Sequence, residues 1–381
     1  MRTTSARVCG NMRRVNPAIP IDENALRPGI EDAGWFGRAR AEWDDLVAHA
    51  GCDPLFNGWA WRSTWWAHFD GDARARLSVL VLRDASGTLC AALPLYRHVA
   101  RLRGLPVSRL QLLGSALGVD GDNEFSEYCD GCVRPGYERV AAVQFARLLH
   151  GMRWHELVSQ CVRDDSWFAR HLVPALEQHG CALRRLDPFI PWGVDLAHGA
   201  DPWRAGLSAN VRRRAIGQRK RLAAPRLEPV GRASLAAFLD ELNACHVARW
   251  GKPVYSPRRI AFHQALLELL PADALRSSIL CDGDVHLSLL HELRLGGREY
   301  NLQSGFHAAQ AQQLSPGYLH LGYAIEAAAT VGVHYFDMLG GDGKQRAYKA
   351  DLGAQACTMH GLQVLRARWL RLLYALRDRS N

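Results

Sequence analysis

The stretch Tyr300-NLQSGFHAAQAQQLSPGYLHLGYAIEAAATVGVHYFDMLGGDGKQRAY-Lys349 decides the reading of this chain. Its opening residues, Tyr300 to Phe306, close a run of short strands. Ser315-Pro316-Gly317 then starts a helix: serine is a strong N-cap, proline at the first helical position gives up an N–H that would have no partner there, and Gly317 leaves backbone amides uncovered. Such a helix start attracts anions. Leu319, Tyr323, Ala327 and Val331 follow at helical spacing, and Gly332 stands where a left-handed C-cap residue is expected, which gives a helix from about Pro316 to Val331. His334 to Leu339 is short, apolar and aromatic, and Gly340-Gly341 ends it, so Asp337 comes near the carboxyl end of a buried strand. In open sheets that end faces the ligand.

Each piece has an ordinary explanation. A Ser-Pro-Gly before a helix is commonly only a cap, and an aspartate closing a strand commonly caps the next turn. The ordered combination carries the argument. A thioester carrier presents a pyrophosphate and a long amide-bearing arm, so its site needs backbone donors at a helix start and a free strand edge that pairs with the arm. Ser315, Gly317 and Tyr318 supply the first, and Gln303, Ser304 and Gly305 the second. Acyl transfer also needs a proton acceptor for the incoming nucleophile and a donor to the leaving thiolate. Asp337 is the first candidate for the base, Tyr348 for the donor, and Lys349 for neutralising negative charge. His246, Trp250 and Tyr300 are the candidate acceptor contacts; a histidine at a helix end is more commonly a structural hydrogen-bonder.

These residues resemble a family. Tyr300 to Phe306, Leu314-Ser315-Pro316-Gly317, Gly332 through Phe336-Asp337 to Asp342, and Tyr348-Lys349 are similar to the acetyltransferase domain of GNAT-type, FemAB-like proteins, above all the CelD-like group linked to cellulose biosynthesis. Trp43 to Leu95 is similar to that family's N-terminal half, Leu207-Ser208 with Arg212-Arg213-Arg214 and Lys220-Arg221-Leu222 to its central basic helix, and His246 to Gly251 to its next helix end. The resemblance spans roughly Trp35 to Gly361 and implies an acetyl-CoA-dependent transferase without a metal, acting on an amine or hydroxyl of a sugar or cell-envelope precursor. It also implies an alternative donor, charged tRNA. Two departures stand out: His307 takes the place of an aspartate, and the loop from Gly341 to Tyr348 is longer than usual.

The expected fold class is α/β of the α+β kind: two GNAT-like lobes, each a mostly antiparallel mixed sheet flanked by helices. The divisions expected are a polar, flexible 1–34, an N-terminal lobe over 35–200, a C-terminal lobe with the active site over 201–365, and a basic helix over 366–381. In the first lobe, helices are expected at Trp43–Ala50, Trp59–Phe69, Gly136–Gly151 and Ser166–Gly180, with a hairpin over Leu77–Arg97. Gly114 to Asp130 reads as an irregular insertion. In the second lobe a basic helix over Arg204–Ala223 precedes helices at Ser234–Arg249 and Pro257–Leu270 and three strands ending at Phe306.

With 48% hydrophobic and 22% charged residues the chain reads as an ordinary globular protein, not disordered as a whole. No run reaches the ~18 apolar residues needed to cross a bilayer, and the arginines of the first twenty residues lead into no apolar core, so a cytoplasmic location is expected. The scattered cysteines, with Cys129 and Cys132 the only close pair, read as apolar fillers rather than metal ligands. A net charge of +9 invites a nucleic-acid reading. Its strongest patch, Arg212 to Arg214 with Arg219 to Arg221, lacks aromatic residues for base stacking. Nucleic acid is therefore expected only as the charged tRNA of the alternative, or if the chain is a non-catalytic polysaccharide-assembly or nucleic-acid-binding module. No nucleophile elbow, Walker loop, His-Glu-x-x-His or dinucleotide fingerprint is present.

Overall fold

The structure, a computed structural model, describes residues 25–69, 76–115, 122–309, 314–340 and 344–378. Two sheets organise it. The first holds β1 (Arg27–Glu31), β2 (Arg76–Arg83), β3 (Leu89–Leu102), β4 (Leu105–Leu112), β5 (Cys132–Val133), β6 (Glu156–Arg163) and β7 (Ala182–Phe189). The second holds β8 (Trp192–Asp195), β9 (Pro225–Pro229), β10 (Ser278–Asp282), β11 (Val285–Leu295), β12 (Arg298–Phe306), β13 (Tyr335–Asp337) and β14 (Gln355–Ala356). Then β15 (Met359–Leu365) returns to the first.

The strand orders are β1-β2-β3-β4-β6-β15-β7, with β5 paired to β3, and β9-β10-β11-β12-β13-β8-β14. They correspond position by position. Each contains one parallel pair, β4 with β6 and β12 with β13, in an otherwise antiparallel ladder. A helix makes the crossover in both, Glu138–Gly151 in the first and Pro316–Thr330 in the second, as a parallel pair requires. The tandem α/β architecture expected from the sequence is present, and most elements fall within a few residues of their expected bounds.

Three features differ. The lobes do not part at residue 200: β8, from the first, pairs with β13 in the second sheet, and β15 slots between β6 and β7 of the first. Each sheet thus takes one strand from the other lobe. Residues 1–24 lie outside the described part, but Arg27–Glu31 is a strand against β2 and Ala33–Arg38 a helix capped by Asp32, whose side chain accepts the Trp35 N–H. That segment reads as a polar tail because an edge strand keeps polar side chains in solvent. The basic helix is two helices, Ala200–Gly206 and Ala209–Ala215, followed by a 3-10 turn at Gly217–Arg221. Ser208 caps the second of these by accepting the Val211 N–H.

The largest apolar cluster draws Trp43, Phe56, Trp61 and Trp65 from the first lobe and Phe262, Leu266 and Tyr300 from the second. Large aromatic side chains dominate core energetics, so neither lobe keeps its core without the other. Beside it runs a buried polar network. The Asp53 carboxylate accepts from Arg298 (3.0 Å) and from the Tyr300 hydroxyl (2.9 Å). That of Asp337 accepts from Arg298 (2.9 Å) and from the Tyr128 hydroxyl (2.7 Å).

Candidate active site

The parallel pairing of β12 with β13 stops at Tyr300 opposite Asp337. Beyond that point β12 continues to Phe306, paired only with β11, while the other chain turns away through Met338, Leu339 and Gly340. Leu302 is the extra residue of a bulge between the partners of His291 and Glu292, which bends β12 where the strands part. A cleft of about 660 Å³ opens between them. Its walls are Asn301 to Phe306 on one side, Met338 to Gly340 with Tyr348 and Lys349 on another, and Leu314 to Tyr318 at one end.

That end is a helix start. The Ser315 side chain does not cap it: its Oγ accepts from Arg214 Nε (3.0 Å), and its backbone N–H donates to Gln218 (2.8 Å). Proline at the first position removes one donor, and the Gly317 and Tyr318 amides of the first turn have no protein acceptor among the described residues. Arg214 lies over the Tyr318 ring (3.7 Å), and Arg249 over Phe306 (4.7 Å) and Trp250 (4.9 Å). Bare amides, a helix dipole and two guanidinium groups make a site for a pyrophosphate-like anion. The matching helix of the first lobe begins with Glu138, whose carboxylate takes the Gly136 N–H (2.8 Å), so an anion is repelled there.

The expected site residues separate into two groups. Gln303, Ser304, Gly305, Ser315, Gly317, Tyr318, His246, Trp250, Tyr348 and Lys349 all line the cleft. Asp337 and Tyr300 do not; both are fully buried behind it in the network that joins the lobes. His246 donates from Nε2 to the Ser304 carbonyl (3.1 Å), with burial holding its pKa below the ordinary value. His307 is engaged away from the cleft with Glu241 (2.9 Å), which also meets His286 (2.7 Å).

Lys349 bonds three backbone carbonyls, those of Met338 (2.7 Å), Leu339 (2.8 Å) and Gly340 (2.7 Å). Its ammonium therefore holds the loop that forms one cleft wall. Burial brings its pKa down to about 8 against the attraction of Glu127 and Asp337. Burial pushes the Tyr348 phenol up to about 12, so it stays a proton donor at neutral pH.

Sequence reasoning missed the opposite wall, which the first lobe builds from Glu124, Phe125 and Glu127. Burial alone would raise the Glu124 carboxyl, but His263 and Arg259 outweigh it and bring it to about 2. Glu127 is the reverse. Burial, with Asp337 nearby, pushes its carboxyl up to about 8. One oxygen accepts the Gly340 N–H (2.9 Å), and Oε2 is buried with no partner among the described residues. Only its place in an acid-rich insertion, Asp120 to Asp130, could have signalled it.

Residues 209–350 match the family model described as an acetyltransferase (GNAT) domain. The second lobe carries a GNAT acyltransferase domain. The matched segment begins on the 209–215 helix, whose Arg214 reaches Ser315, and ends one residue beyond Lys349, so the helix-start end of the cleft lies within it. The whole chain is similar in fold to the crystal structure of FemX, at 12% identity and a TM-score of 0.62, covering 88% of this chain and 98% of that one. It is also similar to a conserved protein of unknown function from Bacteroides thetaiotaomicron VPI-5482 (13% identity, TM-score 0.54, 86% and 97% covered). A third is the C-terminal domain of a protein described as a lysylphosphatidylglycerol synthetase from Agrobacterium fabrum (12% identity, TM-score 0.52, 91% and 96% covered). At such identities the likeness concerns the fold. No curated protein sequence matches the chain. No helix among the described residues is long and apolar enough to cross a membrane.

Proposed function

We propose that this protein transfers an acyl group, acetyl in the first instance, from acyl-CoA to an amine or hydroxyl of a sugar or cell-envelope precursor. The observation that carries this reading is the splayed β12–β13 cleft closed at one end by a bare helix start. The free edge of β12 from Asn301 to Phe306 suits the amide-bearing arm, which would pair with Gln303, Ser304 and Gly305 as an added strand. The amides of Gly317 and Tyr318 with Arg214 suit the pyrophosphate. Tyr348 is suited to protonate the departing sulfur, and Lys349 to fix the loop against which the acyl group would rest. Asp337 serves this reading as an anchor that holds β13 and Arg298 in register. The acceptor class rests on the CelD-like resemblance of the sequence.

A second reading, an aminoacyl group carried by tRNA, draws on the FemAB-like resemblance and the shared fold with FemX. The basic run gives it little support. Arg212 donates to the carbonyls of Ala205 and Leu207, Arg214 to Ser315, and Arg219 to Glu326, so much of that charge is spent inside the protein.

Calorimetric titration with acetyl-CoA and longer acyl-CoAs, repeated on Gly317→Asp, tests the proposal. A Cβ at Gly317 meets only Phe306, at an ordinary 3.8 Å, so the variant adds negative charge without a clash. Tight binding abolished by the substitution is the expected result. Absence of binding to any acyl-CoA would reject the donor and favour charged tRNA.

A further inference from the structure

A second group of side chains gathers where β12 ends, and none of its members lines the cleft. Three elements meet there. The helix Leu235–Trp250 supplies Glu241, β11 begins with Val285 and His286, and His307 follows Phe306 at the end of β12. Ser288 pairs with Phe306, and the His307 N–H donates to the Leu287 carbonyl, which brings both histidines to one end of the sheet. Between them the Glu241 carboxylate takes both rings on a single oxygen: Oε1 accepts from His286 Nδ1 (2.7 Å) and from His307 Nε2 (2.9 Å). One potential ligand atom from each residue lies within 4.8 Å of the other two. Burial alone would raise the Glu241 carboxyl, but the two histidines outweigh it and hold it below the ordinary range, so it is ionised at neutral pH. The side chains are 28% (Glu241), 34% (His307) and 36% (His286) exposed, which lets an ion reach them from solvent and keep a water.

We propose that Glu241, His286 and His307 bind one divalent transition-metal ion of the zinc class, with water in the fourth position, and that the ion fastens the helix Leu235–Trp250 to the end of β12. The proposal is independent of the acyl-transfer reading. Two imidazole nitrogens with one carboxylate oxygen suit a borderline cation, whereas Mg²⁺ and Ca²⁺ favour all-oxygen sites. Zinc holds such donors at about 2.0–2.2 Å, so the three atoms need only spread by well under an ångström from their hydrogen-bonded positions. Each imidazole then carries its N–H on the ring nitrogen turned away from the ion, the neutral form in which histidine ligates.

The same helix already touches β12 twice. A Cβ on Gly305 would meet the Cys245 Cβ at 3.2 Å, and His246 bonds the Ser304 carbonyl (3.1 Å). The ion adds a third fastening one turn earlier on the helix. Cys245 is not a ligand: its Sγ lies 3.8 Å from the His307 ring nitrogens, but burial pushes the thiol up to about 11, and the thiolate is the form that binds metal. Glu228 and Cys281 make a competing trio with His286. They suit an ion less well, because Arg226 already neutralises Glu228 (2.9 Å) and burial raises the Cys281 thiol.

The test is calorimetric titration of the untagged full chain, first stripped with a chelator, with Zn²⁺, Mg²⁺ and Ca²⁺. One Zn²⁺ per chain is expected, with a rise in melting temperature as zinc is added and no response to Mg²⁺ or Ca²⁺. Glu241→Gln and His286→Ala should each weaken zinc binding by about 100-fold or more, since losing even an outer partner of a ligand costs up to that much. Glu228→Gln should leave it unchanged. Melting curves in chelator check that each variant is folded. The proposal is overturned if wild type takes up no zinc, if uptake persists in both Glu241→Gln and His286→Ala, or if Glu228→Gln weakens it as much as they do. Should those two variants fail to fold, Co²⁺ bound to wild type decides: the intense visible bands of a four-coordinate ion support the site, and the weak bands of a six-coordinate one overturn it.

Discussion

Lys349 and Asp337, twelve positions apart in the chain, show how one pair of charged residues can differ in purpose. Both are buried, but the lysine faces the cleft and the aspartate faces the partner lobe. Asp337→Asn leaves Arg298 short of one of its two carboxylates. We expect a stability loss of roughly 3–5 kcal/mol by denaturant titration, with turnover per folded molecule kept, because breaking a buried pair strands its partner. Lys349→Met frees three carbonyls of the cleft wall, at about 1–3 kcal/mol for each one that water does not reach, and should lower both melting temperature and turnover. Glu127 predicts a pH effect. Its folded carboxyl titrates near 8 and its unfolded one near 4.5, so between those values the folded state keeps a proton the unfolded state has lost. Stability therefore falls as pH rises through that window, and the fall should be shallower in Glu127→Gln when melting temperatures are compared at pH 5 and pH 8.

At the scale of elements, the helix Pro316–Thr330 is held by close approach as much as by its caps. A Cβ on Gly322 would lie 2.3 Å from the Ala215 carbonyl oxygen, a backbone atom that cannot swing aside. Gly322→Ala should therefore push the helix off its neighbour at about 1–3 kcal/mol, and weaken acyl-CoA binding by moving Arg214 away from Ser315. This helix, its glycine at Gly332 (φ +80°) and strands β10 to β13 were legible in the sequence, because their signals are local: a proline at a first turn, a left-handed glycine, paired Gly turns. Gln303, Ser304, Gly305, Ser315, Gly317 and Tyr318, which line the cleft, stand on these same elements. Glu127, β8 and β15 were not. The Glu127 carboxylate is held by Gly340, more than two hundred positions away, and what makes Met359–Leu365 a first-lobe strand is a gap between β6 and β7 that no local pattern describes. Asp337 was placed correctly at a strand end, but its neighbours Tyr128 and Arg298 come from other segments and take up its Oδ2.

For the whole molecule, the reciprocal strands β8 and β15 and the shared aromatic core make the two lobes one folding unit. A fragment ending at residue 200 lacks β15 from between β6 and β7 and loses Phe262 and Tyr300 from its core. It should be insoluble or lack cooperative unfolding by circular dichroism, and co-expression with a fragment from residue 201 onward should restore it. Rigid joining also serves the cleft, since Glu124, Phe125 and Glu127 on one wall and Asn301 to Phe306 on the other come from different lobes, and their spacing depends on how the lobes are joined.

The late return of β15 has a bearing on how the chain is made. During synthesis the first sheet emerges with β6 and β7 unable to close on each other, and the gap persists while the next 170 or so residues are translated, at roughly 5–20 residues per second. For that interval two strand edges stand open to any extended segment nearby. Overproduction should therefore yield aggregates built from nascent chains, which slower translation or a chaperone that shields strand edges would reduce.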